Sequence, residues 1–208
     1  MSKLTIETFI LGPDETNCYL LHSGGDAVVV DVGIEPGRLL DRIGRLGLNL
    51  AGVYLTHFHL DHIGGVGELL NRFDAPVYAG GEDEFLKEIS MEAGGIRELA
   101  RFVDFGYERI GPGRRTALGQ PLLVLDTPGH TPGSLSYFFP AAGCVFTGDL
   151  IFMIAVGRTD LPQGSGPELL GSIRSRILTL PDETRIYSGH GPMTTVAHEK
   201  QYNPHFLK

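Results

Sequence analysis

The sequence predicts an α/β layered sandwich built as one domain over residues 1–208, and three observations predict it. Short apolar segments bounded by Gly, Pro or Asp alternate with segments whose apolar residues recur at helical spacing. No linker-like stretch and no fixed-period repeat divides them. Each half also contains a strand that ends in aspartate, Val28-Val29-Val30-Asp31 in the first and Cys144-Val145-Phe146-Thr147-Gly148-Asp149 in the second.

In chain order, strands are expected at 4–10, 18–22, 27–30, 52–55, 76–78, 122–125, 135–139, 144–146 and 185–187. They are rich in Val, Ile, Leu, Tyr and Phe, which suit a pleated, half-buried surface. Val28, Val29 and Val30 are apolar in succession, the pattern of a strand buried on both faces. A first helix places Leu39, Leu40, Ile43 and Leu46 on one side, and Gly47 is positioned to end it. Val66, Leu69, Leu70 and Phe73 repeat that spacing. Ser165-Gly166-Pro167 opens a third helix carrying Leu169, Leu170, Ile173, Ile177 and Leu178, which stops before Pro181. The charged stretch 82–103 reads as helix broken at Gly94-Gly95 and as an insertion over the surface, with a lid role for 82–120 left open.

Bulk properties narrow the function classes. A net charge of −8 leaves no basic stripe to displace counterions, so nucleic acid is not an expected partner. The longest apolar run, 150–156, falls far short of the ~20 residues a membrane span needs. The first residues lack an apolar signal core, and Cys18 and Cys144 lack metal or disulfide spacing, so reduced, buried thiols in the cytoplasm are expected. Oligomeric state leaves no trace in the sequence.

The chemistry is concentrated in His57-Phe58-His59-Leu60-Asp61-His62, directly after the strand at 52–55. On an extended backbone, side chains two apart project the same way, so His57 and His59 can grip one ion. The chain then turns toward a helix beginning near Gly64, which aims Asp61 and His62 toward a second ion. Composition alone would produce that order of residues about 6 times in 10,000 such chains. Bunched imidazoles are what a borderline metal prefers. His130, Asp149 and His190 also sit at strand ends, between Gly and Pro residues that fix a loop and let backbone approach closely.

Taken together, these motifs resemble the metallo-β-lactamase superfamily and, within it, the glyoxalase II-like (hydroxyacylglutathione hydrolase-like) branch. The similarity runs from Thr16-Asn17-Cys18-Tyr19-Leu20 through His190-Gly191-Pro192 to Asn203-Pro204. It implies a four-layer αββα sandwich with a dinuclear metal site at one edge of the sheets. It implies His57, His59 and His130 on one ion, Asp61, His62 and His190 on the other, and Asp149 bridging both. Asp31 matches a family aspartate that braces the site; as a residue it reads equally well as the turn former after a strand. Only residues 191–208 follow His190, so the resemblance is to single-domain members of the branch, without the helical segment that binds glutathione.

The implied activity is hydrolysis of a thioester or related acyl carbonyl in a small, anionic substrate, with Asp61 and Asp149 catalytic through a metal-bridging hydroxide. Two divalent ions, two aspartates and one hydroxide leave a charge of about +1 to polarise the carbonyl. The mixed N/O donor set suits zinc first and accepts iron or manganese. Gly157-Arg158-Thr159-Asp160 departs from the two-domain enzymes, which carry Lys where Arg158 stands. Arg158 either holds an anionic substrate group or pairs with Asp160 to stiffen its loop. The alternative activity is that of the mono-iron persulfide dioxygenase relatives, which share Gly-Arg-Thr-Asp.

Overall fold

The computed structural model describes residues 4–89 and 103–207. Contacts group the chain into two compact units, Met1–Ile110 with Ala117–Gly119, and Gly111–Thr116 with Gln120–Lys208. Each carries one six-stranded mixed sheet.

In the first unit the sheet runs β1 (Thr5–Leu11), β2 (Thr16–Ser23), β3 (Asp26–Val30), β4 (Asn49–Tyr54), β5 (Val77–Ala79) and β6 (Glu108–Arg109), in that spatial order. β1, β2 and β3 pair antiparallel; β3, β4, β5 and β6 pair parallel. Parallel pairing forces a crossover, and α1 (Gly37–Leu46) supplies the one between β3 and β4. Its buried Leu39, Leu40 and Ile43 join Leu20, Val29 and Val53 in one apolar core. Each such side chain contributes about 1.5–3 kcal/mol by leaving water. Gly47 ends α1 in the left-handed conformation, at φ 61°, as the sequence anticipates.

The second sheet has the order β14 (Thr194–Thr195), β13 (Arg185–Ser188), β10 (Cys144–Gly148), β9 (Leu135–Phe139), β8 (Gln120–Asp126) and β7 (Gly113–Ala117). β10 and β13 pair parallel, while β8, β9 and β10 form an antiparallel run. Val145 and Ile186 pack with Leu169, Ile173 and Ile177. Those last residues lie on α4 (Gly166–Ser172) and the π-helical turn Ile173–Ile177 that continues it. Ser165 caps α4 by accepting the Glu168 amide, with Pro following inside the first turn. α5 (Val196–Tyr202) closes the unit, and β11 (Ile151–Phe152) and β12 (Ala155–Val156) form a separate hairpin.

Several expectations need correction. The helix anticipated near Gly64 begins earlier, as α2 (Leu60–Ile63) inside the histidine motif, followed by α3 (Val66–Leu70). Within 82–103, residues 84–89 are helical, and 90–102, with the Gly94-Gly95 break, lie outside the described residues. Further along, 108–109 and 113–117 are strands of the two sheets, so that part of 82–120 belongs to the framework. Both cysteines are buried and free of disulfides, and burial pushes both thiols upward, Cys144 to about 11. No helix among the described residues is long and apolar enough to cross a membrane.

Candidate metal centre

In the first unit the parallel strands β3 and β4 end side by side, with Val30 opposite Tyr54. Asp31 follows one strand and Leu55-Thr56-His57 the other. Phe58 turns into the core, where its ring meets Tyr107 at 5.1 Å, so His57 and His59 project away from it. His59 occupies the N-cap position of α2 in extended conformation, and Asp61 and His62 lie on that helix. The three imidazoles crowd together: ring centroids are 4.8 Å apart for His57 and His59, and 4.2 Å for His57 and His62.

Asp31 holds this cluster from behind. Its backbone is left-handed at φ 56°, a conformation aspartate tolerates better than most residues. Oδ1 accepts the Thr56 amide at 2.8 Å, and Oδ2 accepts the Thr56 hydroxyl at 2.8 Å. The same Oδ2 lies 2.9 Å from His62 Nδ1. On the opposite edge of that ring, Nε2 lies 3.3 Å from Asp61 Oδ2, which also accepts the Thr16 hydroxyl at 2.9 Å.

The second unit repeats the plan. Parallel β10 and β13 end together, tied by the Gly189 amide donating to Gly148 O at 2.8 Å, and deliver Asp149 and His190. His130 sits in the turn after β8, which is closed by the Thr127 amide on Ser134 O and the Ser165 amide on Gly129 O. His130 Nδ1 is 2.8 Å from the Arg158 carbonyl, and its Nε2 is 3.7 Å from Asp149 Oδ2. His190 Nε2 approaches the same Oδ2 at 3.5 Å. Gly157 fits tightly here, because a Cβ at that position would overlap the Asp149 carbonyl oxygen.

These contacts test whether the residues suit a metal. His62 and His130 each set Nδ1 against an oxygen, at 2.9 and 2.8 Å, and turn Nε2 toward an aspartate oxygen, at 3.3 and 3.7 Å. A neutral imidazole has one N–H, so whichever nitrogen carries it, the other presents a lone pair to an oxygen. With the proton on Nδ1, where the short contact lies, Nε2 turns its lone pair toward a carboxylate, the side on which a cation is favourable. Both rings are buried, His62 beside His57, and a divalent ion satisfies several such donors at once where a proton satisfies one. The donor set fits divalent transition ions.

Every metal-site residue named from the sequence is thus gathered with partners inside its own unit. Arg158 and Asp160 form an exposed two-pronged ion pair at 2.8 and 2.7 Å, and the hydrogen bonds from Arg158 hold the Asp160 carboxyl down to about 2. Sequence reasoning missed the supports: Thr56 beneath Asp31, the Arg158 carbonyl behind His130, and the Thr16 hydroxyl on Asp61. Thr16 opens the stretch Thr16-Asn17-Cys18 that carries the resemblance, the one signal available for it.

Comparison with known proteins agrees with this geometry. A family model described as the metallo-beta-lactamase superfamily matches residues 11–190. The hydroxyacylglutathione hydrolase GloC of Haemophilus influenzae is 35% identical over 207 residues, covering 97% of each chain. The crystal structure of the BLEG-1 B3 metallo-beta-lactamase superposes with a TM-score of 0.90 at 33% identity, over 98% of this chain and 100% of the other. A di-iron-bound form of TTHA1623 superposes with a TM-score of 0.87 at 38% identity, over 97% and 100%. With the sheets, the paired strand ends and a match across most of its length, the chain belongs to the metallo-β-lactamase superfamily and has its α/β fold.

Proposed function

We propose that the chain is a metal-dependent hydrolase of thioesters or closely related acyl compounds, using two divalent ions. By the family resemblance, His57, His59 and His130 would hold one ion, Asp61, His62 and His190 would hold the other, and Asp149 would serve both. The observation that carries this reading is the pair of imidazoles, His62 and His130, each held through Nδ1 by an oxygen at 2.9 and 2.8 Å, with Nε2 turned toward an aspartate carboxylate. When bound, two such ions supply hydroxide at neutral pH and polarise the acyl carbonyl.

The protein's own groups orient that chemistry. Asp31 fixes the His62 ring, Thr16 fixes Asp61, and the Arg158 carbonyl fixes His130. Arg158 serves the site through its side chain too: the residue whose main chain holds His130 presents a guanidinium for an anionic substrate group. A substrate anion must compete with Asp160, which stays ionised throughout the neutral range. A thiolate leaving group, from a thiol with pKa near 8.5, needs little protonation, so no dedicated acid is required. The likeness to GloC supports the thioester assignment, and the di-iron neighbour supports iron beside zinc or manganese as the resident metal.

Metal analysis followed by a turnover panel of thioesters, a lactone, a β-lactam and a phosphodiester tests this. The expected result is two ions per chain and turnover of thioesters, abolished by Asp61→Ala. Activity undiminished in that variant would sink the mechanism. One iron per chain, with oxygen consumed on glutathione persulfide, would assign the chain to the dioxygenases instead.

A further inference from the structure

The hairpin β11–β12 turns through only two residues, Met153 and Ile154. Ile154 takes φ 60°, at the turn position where glycine or asparagine is usual. A β-branched side chain is a costly choice there, since its Cβ crowds the backbone. A buried carboxylate keeps the turn in place. Glu199, fully buried on α5, accepts the Ile154 amide on Oε2 at 3.0 Å. Asn203 Nδ2 donates both to that Oε2, at 2.8 Å, and to Ala155 O, at 3.0 Å. The other oxygen, Oε1, accepts the Thr194 hydroxyl at 2.6 Å.

One carboxylate therefore ties the hairpin tip to the segment that follows His190. Three large apolar side chains stand out at this junction: Met153 is 38% exposed, Ile154 46% and Met193 43%. Phe152, next to Met153, has its ring 6.2 Å from the His190 ring. A surface turn is normally made of polar residues or glycine. A strained turn thus keeps apolar groups in solvent, and Glu199 joins its tip to Thr194, the residue after Met193.

We propose that Met153, Ile154 and Met193 form a fixed apolar rim beside His190 that receives the acyl group, so that the preferred thioesters carry an apolar acyl chain in place of a short hydroxylated one. This rests on the hydrolase reading and adds the substrate's acyl class to it. Two methionines suit such a rim, because an unbranched, polarizable side chain adapts to apolar groups of different shape.

The test uses the full metal-loaded chain with hexanoyl, lactoyl and acetyl thioesters of one thiol. Hexanoyl is expected to exceed the other two in kcat/KM by about tenfold or more. Met153→Ser combined with Met193→Ser should collapse that ratio toward one, and the paired Met→Leu changes should restore it. Binding is read separately by methyl-13C labelling of the four methionines. Hexanoate, and not acetate, should shift the Met153 and Met193 signals, assigned from the single Met→Leu variants. Equal kcat/KM for hexanoyl and acetyl thioesters, or methyl signals that hexanoate leaves in place, overturns the rim while the hydrolase reading stands. Shifted methyl signals with no thioester turned over sinks the hydrolase reading and leaves the rim as an apolar-ligand site.

Discussion

Asp31 combines two roles that its sequence context offered as alternatives. Its left-handed backbone makes the turn after β3, and that turn aims the carboxylate at Thr56 and His62. Asp31→Asn keeps the shape but replaces one acceptor oxygen with an NH2, either against the Thr56 amide or against the atoms at Oδ2. Metal affinity should fall about 10–100-fold, the usual cost of losing a group that orients a ligand. Competition with a chromophoric chelator measures this, and unchanged affinity would leave Asp31 a turn former only. The clustered imidazoles and Asp31 are legible in the sequence, while Thr56, Thr16 and the Arg158 carbonyl are not. The Thr16 hydroxyl reaches Asp61 across 45 positions, and such a contact leaves no local pattern to read.

Among elements, legibility followed length and apolar spacing. The apolar pattern gives β9 its exact bounds and α1 its glycine stop, because each presents a full apolar face. β7 escaped notice because Gly-Arg-Arg-Thr-Ala has no alternation; charged residues are how an edge strand avoids further pairing. α2 is a single turn, too short for any period, so the helix start was read several residues late. β11 and β12 have two residues each, and what makes them matter is position. Gly157 follows β12 and donates its amide to Leu150 O at 3.1 Å, bringing the hairpin's exit against Asp149. Gly157→Ala must push the Asp149 main chain aside. Metal stoichiometry should drop below that of the parent chain, with a smaller change in far-UV circular dichroism. Full metal content in that variant would show that the loop yields without moving Asp149.

For the molecule as a whole, the α/β class and the family were legible because the motifs spread along most of the chain, and the family match draws on both units. The grouping of contacts into two units was not legible, since no compositional break marks it. Linkage gives a prediction at this scale. Metal at about 100 times its Kd adds roughly 2.7 kcal/mol to the folded state. For a chain of this size that is about 5–10 °C in melting temperature for each ion bound. Calorimetry with and without EDTA, followed by readdition of metal, should show that interval lost and regained; an unmoved transition would argue against a resident ion. The Nδ1 bonds that hold His62 on Asp31 and His130 on the Arg158 carbonyl also bear on how tightly a cation is held. Freezing a rotamer-rich side chain on binding costs about 0.5–1.5 kcal/mol, and here folding has already met that cost for both rings. Affinity is then left to the donor atoms themselves, and the chain carries its grip before any cation arrives.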